Sequence, residues 1–194
     1  LISKAFRLNV DAAEGLFFPD TYFYKSYTRS SEILLLASKK MKSILKTEWE
    51  KKSDAINDVI KTPYDALILA SIVEKEAVLD SEKPIIAGVF IKRLLKNMRL
   101  QSDPTVIYAM GDAFSGNIKR SDLKINSPFN TYQQKGLPPT PIGAPGLKAL
   151  RAVLNPYLAD YLYFVSKNDG SHKFSRTLKE HNEAVNYYQR RRRK

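Results

Sequence analysis

The order of apolar and polar positions along the chain divides it into helices, one long irregular stretch and a terminal hairpin. From Ser31 to about Lys52, Leu34, Ala37, Met41, Ile44, Leu45 and Trp49 recur at helical spacing between lysine-rich positions, which predicts an amphipathic helix. Thr62-Pro63-Tyr64-Asp65 then supplies an N-cap, a proline in the first turn and an acid at the positive end of the helix dipole. The helix that follows, to about Ala77, is apolar on nearly every side (Ala66, Leu67, Ile68, Leu69, Ala70, Ile72, Val73), the pattern of a central, buried helix. A third helix is expected from Ser81 or Glu82 to Asn97, with Ile85, Ile86, Val89, Phe90 and Leu94 as its stripe, and a short fourth from Asp103-Pro104 to Ala109.

Residues 111 to 146 lose this periodicity. Pro128, Pro138, Pro139, Pro141 and Pro145 fix the backbone there, as in a rigid, shaped surface, and long irregular segments inside compact domains are often functional. A short helix near Leu147 to Leu154 precedes Tyr161-Leu162-Tyr163-Phe164-Val165-Ser166, which has strand composition. His172 to Thr177 is its expected partner across the turn Asn168-Asp169-Gly170, and a last helix carries His181, Ala184, Val185 and Tyr188. With no βαβ alternation and no internal repeat, the fold class is helix-rich α+β with a small antiparallel hairpin.

Composition narrows the chemistry more than the fold. The chain of 194 residues, 43% hydrophobic, suffices for one globular unit, read as a single domain over residues 1 to 194. Residues 1 to 10 are ambiguous, and the run from Arg190 to Lys194 reads as a solvated tail. No apolar run approaches the ~20 residues that cross a bilayer. The absence of cysteine removes thiol nucleophiles, disulfides and zinc knuckles, and leaves the compartment open. A formal charge of +12 favours an anionic partner, but the basic residues are scattered rather than striped, which argues against a nucleic-acid reader.

No phosphate loop, zinc-protease pair, nucleophile elbow or EF-hand is present. His172 and His181 are the two histidines and read by default as surface or packing residues. Metal-free carboxylate chemistry, with no cofactor, is therefore what an enzyme of this composition would use. Ser71-Ile72-Val73-Glu74-Lys75-Glu76 ends the most apolar helix, where partial desolvation would raise a carboxyl pKa and let it hold a proton near neutrality. The bland alternative is a helix emerging from the core with solvated acids. Glu74 and Glu76 lie about 200° apart around a helix, so one at most faces a given cleft. Two further clusters carry polar groups suited to a ligand. Gln101, Asp103, Thr105 and Tyr108 surround a helix start, where Asp103 is equally well an N-cap. Asn130, Thr131 and Tyr132 lie in the proline-rich loop, with loop packing as their plainer reading.

Several ordered motifs resemble one family. Glu14-Gly15, Phe18-Pro19-Asp20-Thr21-Tyr22, Leu69 to Glu76, Leu100 to Tyr108, Asn130-Thr131-Tyr132, Gly136-Leu137-Pro138-Pro139, Pro141-Ile142, Tyr161 to Val165, Gly170-Ser171-His172 and His181-Asn182 occur in this order in the YceG-like endolytic murein transglycosylases. Ala109, where a glycine is more usual, and Gly143-Ala144 depart from the pattern. The resemblance implies a single-pass protein of the cytoplasmic membrane with its catalytic part outside, its membrane helix and most of a LysM-like region lying before this stretch. It implies cleavage of nascent peptidoglycan strands between N-acetylmuramic acid and N-acetylglucosamine to leave 1,6-anhydro ends, with peptidoglycan synthases (penicillin-binding proteins) as possible partners. It selects Glu74 as the single acid/base, and places a glycan groove between the Gln101 to Tyr108 and Asn130 to Pro141 segments. A lysozyme-like hydrolase pairing Glu74 with Asp103 or Asp20, and a non-catalytic wall- or nucleic-acid-binding module, are the alternatives.

Overall fold

A computed structural model of the chain describes residues 13–190, so both the segment 1–10 and the basic tail from 191 onward lie outside the described residues. The elements run α1 (Ser30–Trp49), α2 (Pro63–Glu76), α3 (Lys83–Leu95), α4 (Asp103–Met110), α5 (Leu147–Leu154), β1 (Tyr163–Ser166), β2 (His172–Ser175) and α6 (Leu178–Val185). This is the helix-rich α+β class expected, with one two-stranded antiparallel sheet among the described residues.

Helix α2 is the centre of the molecule. Thr62 caps it through a reciprocal box, its hydroxyl accepting from Asp65 N at 3.1 Å while Asp65 accepts from Thr62 N at 2.8 Å. Residues 66–73 are buried without interruption, so α2 has no solvent face between its first turn and its last. Helices α3 and α5 pack on it, with Leu67, Leu69, Ile72, Ile86, Phe90, Leu150 and Leu154 in one core. Gly88 is required where α3 meets the chain after α5, because a Cβ there would stand 2.1 Å from Tyr157 O. Helix α1 lies outside this layer and is tied to α5 by Glu48, which accepts from Arg151 Nε and Nη2 at 2.9 Å each. Gly15 takes φ +77° beside Pro141, where any side chain would strike the proline ring.

Several boundaries differ from the sequence reading. Helix α1 ends at Trp49, and α3 starts at Lys83 after a 3-10 turn at Asp80–Glu82. Strand pairing begins at Tyr163, in register with Ser175. The hairpin loop spans residues 167–171, with Asn168 and Gly170 both at positive φ as the Asn-Asp-Gly chemistry requires. After Val185 the last helix widens into a π-helical turn, Asn186–Arg190. Phe164 docks the hairpin edge-on against Phe90 of α3, 5.7 Å between centroids, which carries the hairpin alongside the C-terminal end of α2.

Candidate active site

The two acids at the end of α2 enter different environments, as their angular separation demands. Glu74 turns toward the N-termini of α3 and α5. Its Oε1 accepts from Lys83 Nζ at 2.9 Å and its Oε2 from Gly146 N, the N-cap of α5, at 3.0 Å. Lys83 is itself nearly inaccessible and also donates to Asp80 at 2.9 Å. Burial pulls the Lys83 ammonium down, yet its bonds to Asp80 and Glu74 outweigh that and hold its pKa above the ordinary value. Lys148 and Lys83 hold the Asp80 carboxyl down at about 2. Glu74 is thus an ion-paired clamp between three helix ends.

Glu76 turns the other way and is the group with a displaced proton affinity. Protein atoms packed around its carboxyl desolvate it and push its pKa up to about 7. Ser102 Oγ, donating to Oε2 at 2.8 Å, works against this shift, the Asp103 charge adds to it, and the Arg93 charge subtracts. Ser102 is the N-cap residue of α4, but its hydroxyl is committed to Glu76 rather than to the helix. Asp103 therefore opens the helix as its first residue and is not the cap.

A cleft of about 430 Å³ opens beside Glu76. Gln101, Asp103 and Tyr132 form one side, and Tyr163, His172, His181 and Asn182 the other. Tyr132 donates from its hydroxyl to Asp103 Oδ1 at 2.6 Å, and its own pKa is raised by burial and by that carboxylate. Arg93 of α3 joins the two sides. Its Nε donates to Leu162 O and its Nη1 to Leu100 O, both at 2.7 Å, while the guanidinium lies 5.2 Å from the Tyr163 ring. His181 stacks on Tyr163 at 5.3 Å, and its Nδ1 is buried with no hydrogen-bond partner among the described residues. Burial, with the Arg93 charge nearby, lowers the His181 pKa.

Of the residues singled out in the sequence, Gln101, Asp103 and Tyr132 are brought together in this cleft. The other four proposed ligand residues are not in it, nor are Glu74 and Asp20. Asn130 is fully buried and staples its loop, donating to Leu123 O and Ile125 O and accepting from Tyr132 N. Thr131 and Thr105 are buried against each other at 2.8 Å, and Thr131 Oγ1 accepts from Ser102 N. They hold the Gln101-Ser102 turn, where Gln101 sits at φ +51°, rather than facing a ligand. Tyr108 packs on Phe129 at 4.8 Å, away from the cleft. Asp20 pairs with Lys40 and is no partner for either acid.

Sequence reasoning set Glu76 second to Glu74, read His172 and His181 as surface or packing residues, and gave Arg93 and Tyr163 no place in a site. A histidine in a strand or an arginine on a helix gives no local sign that it lines a cleft built by residues far apart in sequence. For Glu76 the sign was present, since the angular argument admitted either acid. A larger hollow, about 670 Å³, between the Tyr22 to Lys25 segment and α1 is lined mainly by aromatic and aliphatic groups, with Glu32 as its one acid, and carries no comparable chemistry. No group of three or more His, Asp or Glu among the described residues is arranged to hold a metal ion.

A desolvated carboxylic acid facing a polar, aromatic-walled cleft defines a site of general-acid type. The sequence matches the YceG-like family over residues 2–187, and the chain belongs to that family. It is 38% identical over 179 residues to an endolytic murein transglycosylase of Bacillus subtilis, covering 90% of this chain and 48% of the relative. It is 33% identical over 181 residues to an endolytic murein transglycosylase of Streptococcus pneumoniae, covering 89% of this chain and 31% of the relative. A crystal structure of a YceG-like protein from Listeria monocytogenes superposes with a TM-score of 0.78 at 35% identity, covering 94% of this chain and 62% of that one. The chain thus spans about half, or less, of the curated relatives' length.

Proposed function

We propose that this chain is the catalytic part of an endolytic lytic transglycosylase acting on peptidoglycan, with Glu76 as its acid. The observation that carries the reading is the Glu76 carboxyl, desolvated to a pKa of about 7 while it still borders the cleft. A group so poised is protonated often enough to donate and acidic enough to do it readily. The relatives named as endolytic murein transglycosylases give the substrate class. Glu74, which the family resemblance selects, is the weaker candidate because both its oxygens are already held by Lys83 and Gly146.

In this reading a glycan strand lies in the cleft with the bond between N-acetylmuramic acid and N-acetylglucosamine at Glu76. Glu76 protonates the glycosidic oxygen as the bond to C1 breaks through an oxocarbenium-like state. The C6 hydroxyl of the same muramic acid closes on C1, and its proton leaves to a base, in the simplest case the Glu76 carboxylate just formed. An intramolecular hydroxyl reaches effective molarities of about 10⁵ M or more, which is how it outcompetes water. No metal or cofactor enters these steps. We extend the proposal to nascent strands as substrate, an extracytoplasmic location on the cytoplasmic membrane, and peptidoglycan synthases as neighbours. The +12 charge suits an anionic wall polymer, and the greater length of the relatives leaves room for an anchor.

Digestion of purified glycan in ¹⁸O-labelled water, read by mass spectrometry, tests the reading. Unlabelled 1,6-anhydro ends are expected. Labelled reducing ends would instead favour a lysozyme-like hydrolase, for which Asp103 in the same cleft is the available second carboxylate. No new ends at all would favour a wall-binding module.

A further inference from the structure

His172 and Glu82 form a buried pair that the mechanism above does not use. Glu82 grips the histidine at two points: Oε1 accepts from His172 N at 3.0 Å, and Oε2 lies 2.7 Å from Nδ1. The side chains are 8% and 13% exposed, and Phe164 packs edge-on against the imidazole at 5.3 Å. A carboxylate can only accept, so it holds a proton on Nδ1, and in the neutral imidazole Nε2 is then the acceptor nitrogen. Nε2 makes no hydrogen bond among the described residues. The ring lines the cleft with Glu76, and the two meet again in a smaller recess of about 230 Å³ bounded by Ser166 and Gly170. An oriented imidazole with a free acceptor nitrogen beside a protonated carboxyl is the arrangement of a base and an acid at one reacting centre.

The chemistry of an anhydro product requires these two groups to be neighbours. The leaving oxygen departs from the same face of the muramic ring that the 1,6-bridge closes on, so the donor to one and the acceptor from the other stand on one wall. We infer that His172 Nε2 accepts the proton of the muramoyl C6 hydroxyl, with Glu82 holding the imidazole in the accepting tautomer. This inference rests on the glycan-cleaving reading with Glu76 as acid. The bond from C1 to the leaving oxygen breaks as the Glu76 proton moves to that oxygen. The bond from O6 to C1 forms as the O6 proton moves to Nε2. The step leaves a Glu76 carboxylate and a His172 imidazolium, and proton exchange with solvent restores both.

The test is the product distribution of His172→Gln and Glu82→Gln in ¹⁸O-labelled water, with the unaltered protein beside them and thermal melting as a check on folding. For His172→Gln, turnover should fall about 100-fold or more at little changed KM. The share of ¹⁸O-labelled reducing ends should rise, because a C6 hydroxyl without its acceptor loses to water. Glu82→Gln should move both readouts the same way by less. Wild-type turnover and unlabelled anhydro ends in folded His172→Gln would overturn the inference and leave Glu76 to serve as its own base. Labelled ends from the unaltered protein would overturn the underlying reading. If His172→Gln does not fold, Glu82→Gln decides the inference by the same two readouts.

Discussion

Ser102 Oγ donates to Glu76 Oε2 across 2.8 Å, and this bond opposes the desolvation that raises the acid. The balance fixes a pH dependence. With Glu76 at about 7 in the folded protein, the proton it donates is present below that pH and lost above it, so activity should fall as pH rises through about 7. Stability carries the same sign. The folded pKa lies above the unfolded value, so this contribution is full below the ordinary carboxylate range and lost as pH rises through about 7. Ser102→Ala removes a donor that favours the carboxylate, so the alkaline limb should move to higher pH. Initial digestion rates of both proteins across the neutral range measure it, and an unmoved limb would contradict the coupling.

Asp103 pushes in the opposite direction to Ser102. Its charge raises the Glu76 pKa, so Asp103→Asn should shift the alkaline limb to lower pH and reduce the neutral-pH rate several-fold. Below that limb the rate should stay close to that of the unaltered protein at the same pH. If Asp103 were a nucleophile or the base of a hydrolase, the rate would collapse at every pH, by about 100-fold or more. The same pH series on one variant separates an electrostatic neighbour from a second catalytic carboxylate.

Glu76→Gln should abolish cleavage with the melting temperature kept, or raised at alkaline pH, because an amide has no proton to give and no charge to desolvate. Glu74→Gln should do the reverse. It weakens a clamp on Lys83, whose side chain is 7% exposed, and on the N-cap amide of α5. A stability loss of about 1 kcal/mol is expected, modest because Glu74 is partly open to solvent, with digestion within a few-fold of the original. Loss of activity in Glu74→Gln with melting unchanged would return the catalytic role to Glu74.

The helices were legible because their signals are local. The capping box at Thr62 and the unbroken apolar run from Ala66 to Val73 specify α2 with little help from its neighbours. The site was legible only in part. That one acid of the pair faces a cleft follows from helical geometry, but which one depends on what α3, α4 and α5 bring to each side. Lys83 and Gly146 hold the two oxygens of Glu74, whereas the Ser102 turn encloses Glu76, and no residue near the pair in sequence announces either. The histidines were legible least, since an imidazole reads as packing until Glu82, distant in the chain, is found at its Nδ1.

Asn130 illustrates the same distinction, and its variant should behave as a loss of scaffold. Three of the four hydrogen bonds its side chain can make are spent inside the loop. Nδ2 donates to Leu123 O at 3.2 Å and Ile125 O at 2.9 Å, and Oδ1 accepts from Tyr132 N at 3.0 Å. The residue is 0% exposed. Truncation to alanine strands the Ile125 carbonyl and the Tyr132 amide where water enters poorly, while Leu123 O keeps Gln133 Nε2 at 2.7 Å; each unsatisfied group costs about 1–3 kcal/mol before relaxation. A net loss of about 2–4 kcal/mol would lower the melting temperature by roughly 5–15 °C in a domain of this size. Tyr132→Phe is the matched control. It deletes the hydroxyl bonded to Asp103 in the cleft and should cut the cleavage rate while melting within a few degrees of the original. If Asn130→Ala melted normally yet failed to cut, Asn130 would be a ligand-facing residue and the loop, not the staple, would need a new account.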